Sequence, residues 1–266
     1  MNRAHLFEFN DMPWLPMPVR KTLMEQLHHM AVQLRLYEAG FDALSQVLDR
    51  AGTRTLQALC AGDGGLILAL SRHLGRDDIR IMMSDKFPSL DSFRERERES
   101  GGRLGFHPDS VDVLDVPEHM EGLRLIVNAV HHFEAPQVRG ILADAVSKRQ
   151  PIVFMEPVQR DLLSIVRFCA AAPLLSLYFS VGGIRPLSPR RTLLGAVVPL
   201  GSLCFFFDGI VSHLRAYHTG EWEALIREVD GHERFTWETR ILPGFMGSKL
   251  TMLTGLPKEL SEEKRG

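Results

Sequence analysis

Apolar positions in this chain switch repeatedly between two periods. After an irregular, proline-broken start at 7–16, Leu23, Leu27, Met30, Leu34 and Tyr37 recur at helical spacing and predict a helix from about Pro18 to Tyr37. A second helix is expected over 41–48. Short apolar runs then alternate with helical patterns. Strands are predicted at 55–60, 79–84, 110–113, 124–129 and 151–156, and helices at 64–74, 89–98, 136–147 and 158–178. Alternation of this kind predicts an α/β fold, a mostly parallel sheet with helices on both faces.

The pattern changes at Leu162. Two apolar stretches, about 162–182 and 193–207, flank a basic break at 185–191. The first carries Arg167 and Pro173. The second contains Pro199 and falls short of the ~20 apolar residues that a spanning helix needs. Both read as buried or partly exposed helices, serving as a lid or a dimer face. Monotopic membrane contact is the alternative, because basic residues beside apolar helices suit an anionic surface. A helix near 209–230 follows, and then late strands near 235–239 and 250–254 that pair as a hairpin on the sheet edge. The expected organisation is an N-terminal helical cap (1–50), a core (51–160), an apolar helical insertion (161–207), a closing helix and hairpin (208–257) and a disordered tail (258–266).

The 266 residues suffice for one large α/β domain with insertions, and a formal net charge of -2 gives no nucleic-acid footprint. The Arg-Glu run at 94–99 reads as an exposed helix end. Cys60, Cys169 and Cys204 sit in apolar surroundings without metal-ligand spacing, so unbridged thiols in a reducing compartment, and no metal, are expected. The first residues lack a basic-then-apolar leader, which points to the cytoplasm.

Candidate chemistry begins at 60–65, Cys-Ala-Gly-Asp-Gly-Gly, where an apolar strand passes into a helix. Gly62 and Gly64 let backbone N–H groups approach a ligand, and the helix N-terminus points at the same place. An ordinary strand-to-helix turn is the plainer alternative. Asp85 ends the next strand about 20 residues on, the offset at which nucleotide-binding α/β folds place a ribose-binding acid; a helix-start or turn acid is the alternative. Asp112 is placed to accept from an adenine amino group, whereas Asp115 reads as a turn or cap residue. His131 and His132 follow the fourth strand, where imidazole suits acid–base work. Adjacent histidines face different ways, so at most one reaches a substrate; the alternative has one packing under the next helix and one capping it. Glu156, before Pro157, is a further carboxylate on the rim. Asp208, Ser212 and Arg215 share one helix face and either line a pocket or belong to an ordinary capped helix. Trp14 and Arg20 mark the cap.

Taken in series, these segments resemble the class I S-adenosylmethionine-dependent methyltransferases over about 40–157. Cys60, Ala61, Gly62 and Gly64 resemble the family's first motif, Asp85 with Lys86 the ribose-binding position, and Asp112-Val113 the adenine side. Asn128 and Ala129 open the segment after the fourth strand that carries the two histidines, and Glu156-Pro157 resembles the end of the fifth strand. The resemblance implies a Rossmann-like seven-stranded sheet with an antiparallel last hairpin, and S-adenosylmethionine as cofactor. Ala58 departs from the pattern, because the family usually has an acid there near the cofactor's amino-acid end. That contact is worth ~1.5–3 kcal/mol.

The function expected is O- or N-methylation of a small hydrophobic or aromatic molecule, with His131 or His132 as base and Trp14, Arg20, Asp208, Ser212 and Arg215 on the substrate side. Peripheral membrane contact and a homodimer through the insertion both stay open. The alternative function is a non-catalytic methyltransferase-like protein that binds a hydrophobic ligand, a partner or a membrane surface. A nicotinamide enzyme is disfavoured by the glycine spacing.

Overall fold

The computed structural model describes residues 1–258. The expected tail lies outside the described residues, apart from Lys258, whose backbone N–H donates to the Arg234 carbonyl at 2.9 Å. The chain divides into two compact units. One comprises Tyr37–Pro157 and the chain from His218 onward, and the other Met1–Leu36 with Val158–Tyr217.

The first unit is built on a sheet that has seven strands among the described residues: β1 (Thr55–Leu59), β2 (Arg80–Met83), β3 (Leu104–Phe106), β4 (Leu123–Val127), β5 (Ile152–Glu156), β6 (Phe235–Pro243) and β7 (Lys249–Pro257). The order is β3-β2-β1-β4-β5-β7-β6, with the first five parallel and β7 antiparallel to both of its neighbours. Every residue of β4 and β5 is buried, which is why both read as nearly continuous apolar runs. The expected seven-stranded Rossmann-like sheet with a closing hairpin is the one observed.

Most elements fall where the periodicity puts them. In this unit α2 covers Glu38–Ala51, α3 Gly65–Leu74, α4 Leu90–Glu99, α5 Ala135–Ser147 and α9 Thr219–Arg227; the labels α1 and α6–α8 belong to the second unit, described below. The second helix ends at Gly52 in the left-handed region, and α5 opens with a reciprocal Glu134–Gln137 capping box. Several expectations need correction. No strand forms at 110–113; Val111, Val113 and Val116 bury their side chains from a loop, and the third strand lies earlier, at Leu104–Phe106. Its three residues follow a left-handed Gly101-Gly102 turn and are too few to show a period. The predicted helix at 209–230 is two helices, because Ala216 is extended and His218 starts α9 with a capping box to Glu221. Finally, α2 belongs with the sheet rather than with an N-terminal cap.

The second unit is helical. It contains α1 (Met17–Gln33), α6 (Leu162–Val181), α7 (Pro189–Thr192) with a π-turn at Leu193–Val197, and α8 (Leu200–Arg215). The expected boundary at 207/208 therefore falls inside α8. Leu15, Val19, Leu23, Ala172, Cys204 and Phe205 form its apolar core.

Candidate functional site

Parallel strands deliver their side chains and the following loops to one edge of the sheet. Between β1 and β4 the strand order reverses, which is where open α/β sheets bind ligands. The loop after β1 is shaped by three consecutive left-handed features. Cys60 has φ 53°, Gly62 φ 59° and Gly64 φ 74°. A Cβ on Gly64 would lie 2.7 Å from Met83 Sδ, so glycine is required there both by backbone and by space. A Cβ on Gly62 would meet nothing within 4 Å, so the loop leaves room beside that residue.

Asp85 ties the loop to the end of β2. Its Oδ2 accepts from the Gly62 N–H at 2.9 Å and its Oδ1 from the Phe87 N–H at 2.9 Å. The Ala61 N–H also donates to the Ser84 carbonyl at 3.0 Å. A carboxylate has about four acceptor sites, so each Asp85 oxygen keeps one lone pair for a further donor. Gly65 N–H donates to Asp63 Oδ1 at 2.9 Å, which fixes the start of α3.

Asp112 stands on the loop that follows β3. Lys86 Nζ donates to its Oδ2 at 2.7 Å, and the Leu114 N–H donates to its Oδ1 at 3.0 Å. The Lys86 bond, followed by the Leu114 N–H, holds its carboxyl below the ordinary range. Val113 is buried beside it. Burial, with Asp85 and Asp112 close by, pushes the Cys60 thiol up to about 12, so Cys60 contributes a neutral side chain at neutral pH.

After β4, Asn128 adopts a left-handed φ of 56° and Ala129 leads into a single 3₁₀ turn, Val130–His132. Contrary to expectation, the two histidines do not face different ways here; the tight 3₁₀ turn brings their rings side by side, tilted by 36°. His131 is buried, and its Nδ1 lies 2.7 Å from Glu156 Oε2; Glu156 Oε1 accepts from the Val130 N–H at 2.6 Å. His132 is half-buried, with its ring centre 4.3 Å from that of His131. The carboxylate at the end of β5 thus fixes the turn and orients an imidazole. This pairing of Glu156 with His131 is the site feature that the sequence alone did not supply. Its only signal was a carboxylate at a strand end before a proline. Tyr37, also buried, is held above its ordinary range by burial and by the Glu156 charge.

The residues expected on the substrate side lie in the helical unit, where the structure gives them partners in the N-terminal segment. Asp208 is interior to α8, not its cap, and its two oxygens accept from the Phe9 and Asn10 N–H groups at 2.7 and 2.9 Å. Ser212 Oγ donates to Glu8 Oε1 at 3.0 Å. Arg215 donates to the Leu6 carbonyl at 2.6 Å and pairs with Glu8 and Asp11. Arg20 donates to the Asn10 and Met12 carbonyls. Trp14 is 63% exposed and meets Phe9 edge-on. The shared face of Asp208, Ser212 and Arg215 is real, and it binds the chain's own first residues.

No family model and no curated protein matches this sequence. Solved structures do match. The plantazolicin methyltransferase BpumL in complex with SAH has 12% identity and a TM-score of 0.55, with 92% of each chain covered. The O-methyltransferase NcsB1 from neocarzinostatin biosynthesis, in complex with S-adenosylmethionine and 2-hydroxy-5-methyl naphthoic acid, has 14% identity and a TM-score of 0.51 over 91% of this chain. An O-methyltransferase family protein from Burkholderia thailandensis has 15% identity and a TM-score of 0.50 over 87% of this chain. The chain has the fold of the class I S-adenosylmethionine-dependent methyltransferases. It spans 58% of the length of each of the last two structures. The likeness is one of fold. Within the methyltransferase fold, the glycine turn, Asp85 and the His131–Glu156 pair stand at the ends of β1, β2, β4 and β5.

Proposed function

We propose that the protein is an S-adenosylmethionine-dependent methyltransferase that acts on a small hydrophobic or aromatic acceptor at oxygen or nitrogen. The observation that carries the reading is the 2.9 Å bond from the Gly62 N–H to Asp85 Oδ2. It joins the glycine turn to the carboxylate that would hold a ribose, beside a loop with room for a ligand. The fit with the cofactor rests on that open space, on the unused Asp85 lone pairs and on the left-handed turn. Asp85 would hold the ribose hydroxyls, the Cys60–Gly64 backbone would face the amino-acid portion, and Asp112 with Val113 would border the adenine. Bound S-adenosylmethionine supplies an electrophilic methyl group on a sulfonium.

What the protein adds is alignment and proton transfer. With Nδ1–H held by Glu156, the His131 Nε2 carries the lone pair and takes the proton of an acceptor hydroxyl or amine. The Glu156 carboxylate stabilises the imidazolium that results. Support for a small aromatic acceptor comes from NcsB1, whose structure contains a naphthoic acid. Calorimetric titration with S-adenosylhomocysteine tests the reading, and absence of binding at ~1 mM would sink it.

One observation favours a second reading, a methyltransferase-like protein without catalysis. Ala58, fully buried between Met83 and Leu125 in the sheet, stands where the family pattern puts an acid. On that reading the cofactor titration is flat.

A further inference from the structure

Besides its apolar core, the helical unit buries a polar cluster. Gln26, Ser176 and Ser180 are buried at its centre. Gln26 Nε2 donates to Ser180 Oγ at 2.8 Å and to Ser202 Oγ at 3.1 Å. The Ser176 hydroxyl lies 3.1 Å from Gln26 Oε1 and 2.5 Å from Ser202 Oγ, and Ser202 donates to the Gly195 carbonyl at 2.6 Å. Small residues allow this close approach: a Cβ on Gly195 would lie 2.0 Å from Ser180 Oγ, and one on Gly201 2.7 Å from the Thr22 side chain.

The outside of the same helices is apolar. Along α6, Leu163, Val166, Leu174, Leu177, Tyr178 and Val181 are all about half exposed or more, Leu174 reaching 72%. All the others stand three, four, seven, eight or eleven residues from Leu174, so they form one stripe along a helix of 20 residues, which rises about 30 Å. Val197, Val198, Leu200 and Leu203, where the π-turn meets α8, add a second exposed apolar patch. Between the two runs a cleft of about 400 Å³, walled by Pro173, Leu177, Pro199, Leu203 and Phe206 among others. Hydrogen-bonded small polar residues inside and branched aliphatics outside are the arrangement that lipid favours and water opposes.

Charge selects the kind of surface. From Leu162 to Phe207 there is no Asp or Glu, but there are four arginines, Arg167, Arg185, Arg190 and Arg191. Glu25 pairs with Arg190 and Arg191, whereas Arg185 is exposed in the break between the apolar helices. An apolar face that carries the exposed Arg167 and Arg185 and no acid of its own from 162 to 207 is complementary to anionic headgroups above acyl chains. It is less suited to a second copy of the same face, which would add two more exposed arginines and no acid from that segment. We infer that the α6 and π-turn–α8 face of the helical unit is a docking surface for an anionic lipid bilayer.

The test is flotation of the full chain with vesicles of phosphatidylcholine and phosphatidylglycerol (7:3), with pure phosphatidylcholine in parallel. The wild type should float with the mixed vesicles and several-fold less with the neutral ones. A Leu174→Glu, Leu177→Glu double variant alters exposed side chains, so its circular dichroism and melting should match the wild type. Its bound fraction should fall by at least about ten-fold. Should that variant misfold, Arg185→Glu serves instead, with binding to the mixed vesicles weakened and binding to the neutral ones unchanged. Failure of the wild type to float with either vesicle, or flotation of a folded double variant like the wild type, would overturn the inference. So would a stable dimer in light scattering that ignores vesicles and becomes monomeric in the double variant, since a second copy would then cover the face.

Discussion

Glu156→Gln exchanges one oxygen for an amide and leaves the shape of the side chain intact. In the wild type the carboxylate accepts twice, from the Val130 N–H at 2.6 Å and at His131 Nδ1 at 2.7 Å, and both groups are buried. An amide offers one acceptor and one donor in place of two acceptors. If its oxygen stays on Val130, the amide NH₂ faces Nδ1, and the imidazole proton must move to Nε2. The lone pair needed for proton abstraction is then turned away from the acceptor. If the amide is flipped, two donors face each other at Val130. Either arrangement forfeits a charge-assisted bond, a stability loss of about 1.5–3 kcal/mol in urea unfolding. Removing a general base costs ~10²–10⁴ in rate, so turnover with any acceptor should fall by about that factor while S-adenosylhomocysteine still binds. The assay that needs no acceptor is nitrogen-15 NMR of the His131 ring. It should report the Nδ1–H tautomer in the wild type and Nε2–H in the variant. An Nε2–H tautomer in the wild type, or unchanged turnover in Glu156→Gln, would refute the assigned roles.

Other outcomes follow from the same geometry. Gly64→Ala places a Cβ against Met83 Sδ at a φ of 74° and should destabilise by about 2–4 kcal/mol, whereas Gly62→Ala, facing open space, should cost only about 1–2 kcal/mol and weaken cofactor binding; urea melts and calorimetry separate the two. Asp144→Ala leaves Arg124 buried in β4 without its 2.6 Å partner and should cost about 3–5 kcal/mol in urea unfolding. Tyr37 titrates higher in the folded protein than in the unfolded chain, so its contribution is complete below the unfolded value of about 10 and declines as pH rises beyond it. Stability measured between pH 8 and 11 should fall at the alkaline end in the wild type and less so in Tyr37→Phe.

The parts legible in the sequence were those with local causes. β1, β2, β4 and β5 are apolar runs bounded by glycine, proline or acid, and Asp85 meets the glycine turn because the β1–β2 register aligns their ends. β3 escaped because three residues carry no period, while Val111, Val113 and Val116 alternate like a strand yet anchor a loop. The His131–Glu156 bond joins the ends of two strands, and nothing in periodicity reports which side chains neighbouring strand ends bring together. The face of Asp208, Ser212 and Arg215 was correctly grouped by helical spacing. Its partner was invisible, since the N-terminal segment reaches α8 across about two hundred residues of chain.

The central claim is that the glycine turn and Asp85 hold an adenosyl cofactor. Isothermal titration with S-adenosylhomocysteine tests it most directly, on the wild type and on Asp85→Ala checked for a cooperative unfolding transition. Saturable one-to-one binding by the wild type and its loss in the folded variant are expected. A flat titration of the wild type at ~1 mM ligand, or undiminished affinity in Asp85→Ala, would contradict the account.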